Sequence, residues 1–491
     1  MITGFLSLLI VIPHLSTNQE LYGIYIFCVS FILYLTYADI GFLGAGQKYA
    51  AEAFARNNRE EEVGIFGFTG FVLLLVILPF SGLMIYFSFN PEEILKGLTT
   101  QGVKIASNVF LILAILTPFQ IILQRLVQSI LIIRIKDFVS LKIDAVFNLI
   151  KILAIYIFFT DGKYQIVEYF LFCNIITIIG SLVVLFIIRN TENYNFIALF
   201  KAIRFSRKYF ELIKKLAFSS FFLTIGFVVY YELDLIIIGK WFGPKEVAIY
   251  AIAFTFLNFL RSLWNIVFSP FSQRFNHLVA EGSTRKMKKL TSRIIDFTFP
   301  LTVIVTVVLF FSIKYIVIYW VGIEYVESIK ILQILIISTG FGFITQPAGY
   351  YFLANVDYLY IYLLAFVLPV CFILGIYLFV PSFGIAGFAL SKTITITIGF
   401  IISYLGILKL FNPNQIIIKW VIPISIFLFF SFLFKIQFLP YFFTYSDKST
   451  VQLISVVFFS GTFIFLSYLC LLMTDKAKRI LLIRSVKKIL F

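Results

Sequence analysis

Apolar runs long enough to cross a bilayer follow one another along almost the whole of this chain. A helix needs roughly 20 apolar residues to span the hydrocarbon core. About fourteen such runs can be traced in the 491 residues, joined mostly by short polar links. They lie near 1–14, 22–44, 64–88, 106–131, 138–159, 165–188, 214–239, 246–270, 294–318, 329–353, 358–380, 383–407, 417–438 and 451–474. Hydrophobic residues make up 61% of the chain and charged residues 13%, against roughly one half and one quarter in soluble domains. In hydrocarbon each run must satisfy its own backbone amides, so the runs are expected to be helices. The chain reads as an all-α integral membrane protein, with almost no sequence left for a soluble domain. The first run is short for a span. It is expected to sit in a thinned bilayer or to continue from an upstream start.

A formal charge of +16 first suggests nucleic acid. The placement of the basic residues argues for topology instead. With the N-terminus inside, the links at Lys48–Arg59, Arg134–Lys136, Arg189–Lys215, Arg274–Arg293 and Lys409–Lys419 fall on one face, together with the tail Lys476–Lys488. These segments hold about 26 of the 40 Lys and Arg. The links on the other face hold few. That bias sets orientation and places both termini in the cytoplasm, so no nucleic-acid partner is expected. The tail 476–491 is basic and amphipathic, suited to lie on an anionic inner leaflet.

The longest polar interruption in the first half, Arg189–Lys215, follows the sixth run. A repeat supports a division there. Gln19-Glu-Leu-Tyr-Gly-Ile-Tyr25 precedes the second run, and Pro244-Lys-Glu-Val-Ala-Ile-Tyr250 the eighth. Gln47-Lys-Tyr49 and Gln273-Arg-Phe275 follow the same two runs, again about 225 residues apart. Two matches in register favour two pseudo-symmetric six-helix lobes plus two extra C-terminal helices. The expected divisions are an N-lobe over 1–190, a basic linker over 191–213 and a C-lobe over 214–410. The last two spans would fill 411–475, and the tail 476–491.

The segments Asp39–Glu52, Leu233–Tyr250 and Pro381–Leu390 resemble the polysaccharide transporter branch of the multidrug/oligosaccharidyl-lipid/polysaccharide exporter superfamily. So does the arrangement of six, six and two helices. The resemblance covers nearly the whole chain, although the basic leader usual in that family is missing here. It implies a flippase for lipid-linked oligosaccharides, such as O-antigen, capsule or exopolysaccharide repeat units, in the bacterial inner membrane. It implies alternating access, a lipid-linked oligosaccharide and membrane lipids as partners, and possible work beside a polysaccharide polymerase.

No catalytic constellation is visible. The only histidines are His14 and His277, and there is no HExxH, Walker loop or nucleophile elbow. The four cysteines, Cys28, Cys173, Cys371 and Cys470, each sit in an apolar run without metal-ligand spacing. Such cysteines behave as small hydrophobes. Neither an enzyme nor a cofactor is expected, though a coupling ion, Na+ or H+, remains open.

Chemistry is left to polar residues within the spans. An ionisable group at the bilayer centre costs about 2.5–3.5 kcal/mol on insertion scales, so it usually faces a bundle interior or a wet cavity. In the fourth span Thr117, Gln120, Gln124 and Gln128 form a stripe with Arg125 beside it. In the fifth, Asp137, Ser140, Asp144, Asn148 and Lys151 share a face. In the eighth, Asn258, Arg261, Asn265 and Ser269 do the same. Lys392, Glu232 and Asp234 stand in apolar surroundings. The amides and hydroxyls could equally bond helix to helix. Packing alone does not need several deep cations, whereas a cavity for a diphosphate-linked sugar does. Arg125, Lys151, Arg261 and Lys392 are therefore expected to face a common water-accessible cavity. Glu232 and Asp234 are candidates for ion coupling or for structural pairing. Lys48 and Arg274 are candidates for a cytoplasmic entrance, or for snorkelling anchors. Tyr350, Tyr351, Tyr358, Tyr360 and Tyr362 read as an interfacial aromatic belt.

Three alternatives stay open. One is a lipid II flippase of the same superfamily. Another is a cation-coupled multidrug antiporter, disfavoured by the predominance of Arg and Lys. The third is a membrane glycosyltransferase, disfavoured by the short outer links.

Overall fold

The computed structural model describes residues 2–36, 41–160, 163–355, 357–410, 412–433 and 449–474. Asp39 and the basic tail 476–491 lie outside the described residues. The described residues are helical apart from short links and hold no strand. They fall into two compact units, Met1–Ala251 and Ile252–Phe491.

The first unit is built from α1 (Ile2–Leu15), α2 (Gln19–Thr36), α3 (Phe42–Ala55), α4 (Arg59–Phe89) and α5 (Thr100–Ile132). It continues through α6 (Phe138–Phe158), α7 (Ile166–Glu192), the short α8 (Phe196–Lys201), α9 (Arg207–Glu232) and α10 (Asp234–Trp241). The first two turns of α11 (Pro244–Ala280) complete it. Local chemistry fixes the helix starts. Asn58 caps α4 by accepting from the Glu61 amide at 3.1 Å, and three glutamates fill the first turn, where the helix dipole favours anions. Thr99 caps α5 through the Gly102 amide at 3.1 Å. The Thr99 hydroxyl also donates to Glu20 of α2 at 2.6 Å, tying two chain-distant starts together. The core of this unit gathers Phe66 and Phe68 of α4, Val127 and Ile130 of α5, Ile188 of α7 and Ile213 of α9.

The second unit holds the rest of α11, then α12 (Thr284–Val321), α13 (Val326–Thr339), α14 (Gly342–Asn355), α15 (Tyr358–Phe383) and α16 (Ala386–Leu408). It ends with α17 (Asn414–Leu433) and α18 (Thr450–Thr474). The 38-residue α12 is its axis. Trp420 of α17 donates to Asp296 at 2.9 Å, Ser460 of α18 to Ser312 at 2.9 Å, and Tyr468 of α18 to the Phe297 carbonyl at 3.0 Å. The two extra C-terminal helices thus dock on α12.

Among the described residues, eight helices are long and apolar enough to cross a membrane, and the bent pair α13–α14 adds a ninth. α6, α9 and α17, of 21, 26 and 20 residues, also have crossing length, and α1 and α2 are shorter apolar helices. This agrees with about fourteen runs. Outward faces are apolar, as on α6 with Leu141, Val146, Leu149, Leu153 and Ile157, because lipid rather than water surrounds them. The protein is a multi-pass membrane protein.

Two spans that look continuous in the sequence are interrupted. The seventh stops at Glu232 and restarts at Asp234. The tenth bends by 52° between α13 and α14. At that bend Ser338 and Thr339 turn their hydroxyls back onto the Leu335 and Ile336 carbonyls, and Gly340 and Gly342 weaken the helix. Helix extends beyond the expected end of the second run. α3 reaches Ala55, so Lys48 sits within a helix rather than in a link.

The two units share a pairing at corresponding links. In the first, Lys136 between α5 and α6 meets Glu192 at the end of α7 at 2.6 Å. In the second, Asp357 between α14 and α15 meets Lys409 at the end of α16 at 3.8 Å. Position is kept and charge is inverted.

Candidate functional site

The break between α9 and α10 carries two buried carboxylates. Asp234 is fully buried at the first residue of α10, where the dipole favours an anion. The Tyr250 hydroxyl, from α11, donates to it. Glu232, also buried, ends α9, and its carbonyl accepts from the Tyr34 hydroxyl of α2 at 2.9 Å. Broken helices with ionisable groups at the break recur at ion and substrate sites of transporters. The two acids flank the break. Of the two tyrosines at the break, Tyr250 carried no signal beyond its place in the repeat, and Tyr34 carried none.

The polar stripe of the fourth span divides by role. Thr117 is buried and donates to Asn174 of α7 at 3.1 Å, bonding helix to helix. Gln120, Gln124, Arg125 and Gln128 are half-buried. Gln47, from the repeat motif on α3, donates to Ser129 at 2.8 Å, and Ser129 bonds back to the Arg125 carbonyl at 2.7 Å. On α6, Lys151 donates to Thr177 of α7 at 2.6 Å, with Asp144 two turns earlier within electrostatic reach. Ser140 and Asp144 approach at 3.5 Å, and Asn148 is half-buried on the same helix.

In the second unit, Arg261 is half-buried and donates to Asn258 at 2.9 Å. Asn265, one turn on, is exposed. Lys392 is 0% exposed. Its ammonium lies 4.5 Å from the centre of the Phe254 ring and 5.7 Å from that of Phe372. Aromatic faces replace part of the water a buried cation loses. Of the two entrance candidates, Lys48 is exposed over the Tyr49 ring at 5.1 Å. Arg274 is exposed at the basic end of α11.

A charged cluster that the sequence did not single out lies at the basic end of the first unit. Arg134 and Glu62 are both buried and meet at 2.6 Å. The same guanidinium donates to the Ile130 carbonyl at 2.9 Å and approaches Glu192 at 3.6 Å. The rings of Phe54 and Tyr194 cover it at 4.7 and 5.2 Å. Burial, then the Glu62 charge, pushes the Tyr194 hydroxyl up. Among the described residues, no group of three or more His, Cys, Asp or Glu is placed to hold a metal ion.

Solved structures share this architecture. The lipid II flippase MurJ, in an inward closed conformation, aligns with a TM-score of 0.73 at 18% identity, over 96% of this chain and 97% of its own. An inward-facing multidrug resistance MATE family transporter of the MOP superfamily aligns at 0.66 and 14% identity, over 84% of this chain and 96% of its own. This chain shares the fold of these two transporters. A MATE structure in complex with MaL6 aligns at 0.54 and 13% identity, over 84% of this chain and 97% of its own. No protein-family model and no curated protein matches the sequence. At these identities the likeness is one of fold alone.

Proposed function

We propose that this protein is a flippase that moves a lipid carrying a diphosphate-linked oligosaccharide across the bacterial inner membrane by alternating access. The observation that carries the reading is the set of half-buried cations on spanning helices, Arg125, Lys151 and Arg261. Amides accompany them on the same helices. Cations would offset the diphosphate charge, and amides would pair with sugar hydroxyls. The lipid tail would stay in the bilayer while the head group crosses. Two six-helix lobes, divided near 191–213, would alternate around that path, with both termini in the cytoplasm. Glu232 and Asp234 at the helix break would bind the coupling ion. Lys48 and Arg274 would lie at the cytoplasmic entrance.

O-antigen, capsule or exopolysaccharide repeat units are the proposed cargo, with a polysaccharide polymerase acting on the product. A lipid II cargo is the second reading, favoured by the extent of the likeness to MurJ. The likeness to MATE transporters covers less of the chain, which weighs against a drug antiporter.

Charge at Arg261 tests the reading. Arg261→Lys should keep part of the polysaccharide display at the cell surface, because a cation remains. Arg261→Gln should lose most of it at an unchanged protein level, since an amide cannot neutralise a diphosphate. Equal display with Gln and Arg would reduce Arg261 to a structural partner of Asn258.

A further inference from the structure

The basic end of the second unit holds a cleft of about 420 Å³ between α11 and α12. That size lies in the range of small-molecule sites. Its walls divide by chemistry. Arg274 of α11 and Lys286, Lys289 and Arg293 of α12 supply four cations, all exposed at the mouth. Phe271 of α11 and Phe297 of α12 are among the apolar residues lining the same cleft. The division follows from helical spacing. Positions 286, 289 and 293 share one face of α12, and positions 290, 294 and 297 form an adjoining apolar strip. Among the described residues, no carboxylate lines the cleft. Glu281, in the link between the two helices, pairs with Lys286 at 2.7 Å, and that ammonium holds its carboxyl below the usual range.

Basic helix ends often serve only as interfacial anchors. The corresponding corner of the first unit shows what an anchor requires. There Arg56 pairs with Glu61 at 3.2 Å, and Arg59 with Glu62 at 3.7 Å. The corner between α3 and α4 is close to neutral, while the corner between α11 and α12 keeps a surplus of cations around a cleft. We propose that this cleft binds the phosphate head group of a lipid, with the phosphate among the cations and the first carbons of the chain against Phe271 and Phe297. Arg makes bidentate contacts with phosphate oxygens, and Lys supplies point charge. The occupant is either an anionic phospholipid of the bilayer or a prenyl diphosphate. The proposal stands on the cleft and holds whether or not the protein is a flippase.

The test is binding of farnesyl diphosphate to the whole protein in phosphatidylcholine nanodiscs. Wild type should bind, and Arg274→Gln/Lys289→Gln/Arg293→Gln should bind at least tenfold more weakly. Glu281→Gln frees Lys286 and should tighten binding about twofold, a reading independent of how well the triple variant folds. Inorganic pyrophosphate should compete poorly, since it leaves the apolar wall empty. Adding phosphatidylglycerol to the nanodisc separates the sources. A severalfold loss of farnesyl diphosphate affinity identifies bilayer phospholipid as the occupant, and no loss identifies the prenyl diphosphate. Wild-type affinity in the triple variant, no binding by wild type, or pyrophosphate competing as well as farnesyl diphosphate would each overturn the proposal. Transport is not read, so failure here is distinct from failure of the flippase reading.

Discussion

Gly23 of α2 lies against the backbone of Pro244, the first residue of α11. A β-carbon at Gly23 would stand 1.8 Å from the Pro244 carbonyl oxygen. These residues belong to the two segments that repeat in the sequence, Gln19–Tyr25 and Pro244–Tyr250, so the repeat elements touch. Only glycine allows two helices to approach so closely, because any side chain meets backbone that cannot rotate away. Gly23→Ala is expected to cost about 3 kcal/mol, the upper end for overpacking. A thermal melt in detergent checks this, and an unchanged melting temperature would show that the backbones separate freely.

Glu62 and Arg134 are buried together, so removing one leaves the other uncompensated. Arg134→Met should destabilise by about 3–5 kcal/mol, whereas Arg134→Met with Glu62→Leu should recover most of the loss. Additive losses in a double-mutant cycle would show that the two charges do not act as a pair.

Tyr250 of α11 reaches Asp234 at the start of α10, beside the break. Tyr250→Phe removes the only hydroxyl on that ring and keeps its shape. A hydrogen bond to a charged group contributes about 1.5–3 kcal/mol, so a loss of that size is expected. The melting temperature of the variant against wild type measures it.

Arg261 and Lys392 differ in access. Arg261 is half-buried and Lys392 is sealed between two phenyl rings. In a cysteine-free background, Arg261→Cys should react with a membrane-impermeant thiol reagent and Lys392→Cys should stay inert in this conformation. Inert cysteine at 261 would remove it from any water-filled path. Reaction at 392 would reveal a second conformation that opens the Phe254–Phe372 sandwich.

The spanning runs were legible because hydrocarbon imposes long apolar stretches whatever the fold. The breaks were not. Glu232 and Asp234 are polar, but no Gly or Pro stands beside them to mark a break, and Ser338-Thr339-Gly340 is as compatible with a straight helix as with a bend. Arg134 was counted among the topology-setting cations, and its buried role depends on a glutamate 72 residues away. Such pairings are tertiary, and no local pattern announces them. Thr117 and Gln47 looked like cavity or motif residues and instead bond helix to helix. Periodicity finds a polar face, but it cannot say whether water or another helix meets it. For Lys392 the apolar surroundings in the sequence indicate depth but not direction.

The most direct measurement is translocation in proteoliposomes. Vesicles would carry a prenyl-diphosphate-linked oligosaccharide with a fluorescent sugar, quenched from outside by a membrane-impermeant reductant. With the purified protein, the fraction protected from quenching should fall well below that in protein-free vesicles, and Arg261→Gln should restore protection. Protection equal to that of protein-free vesicles, together with uptake of an organic cation by the same protein, would contradict the flippase reading and make the chain an antiporter.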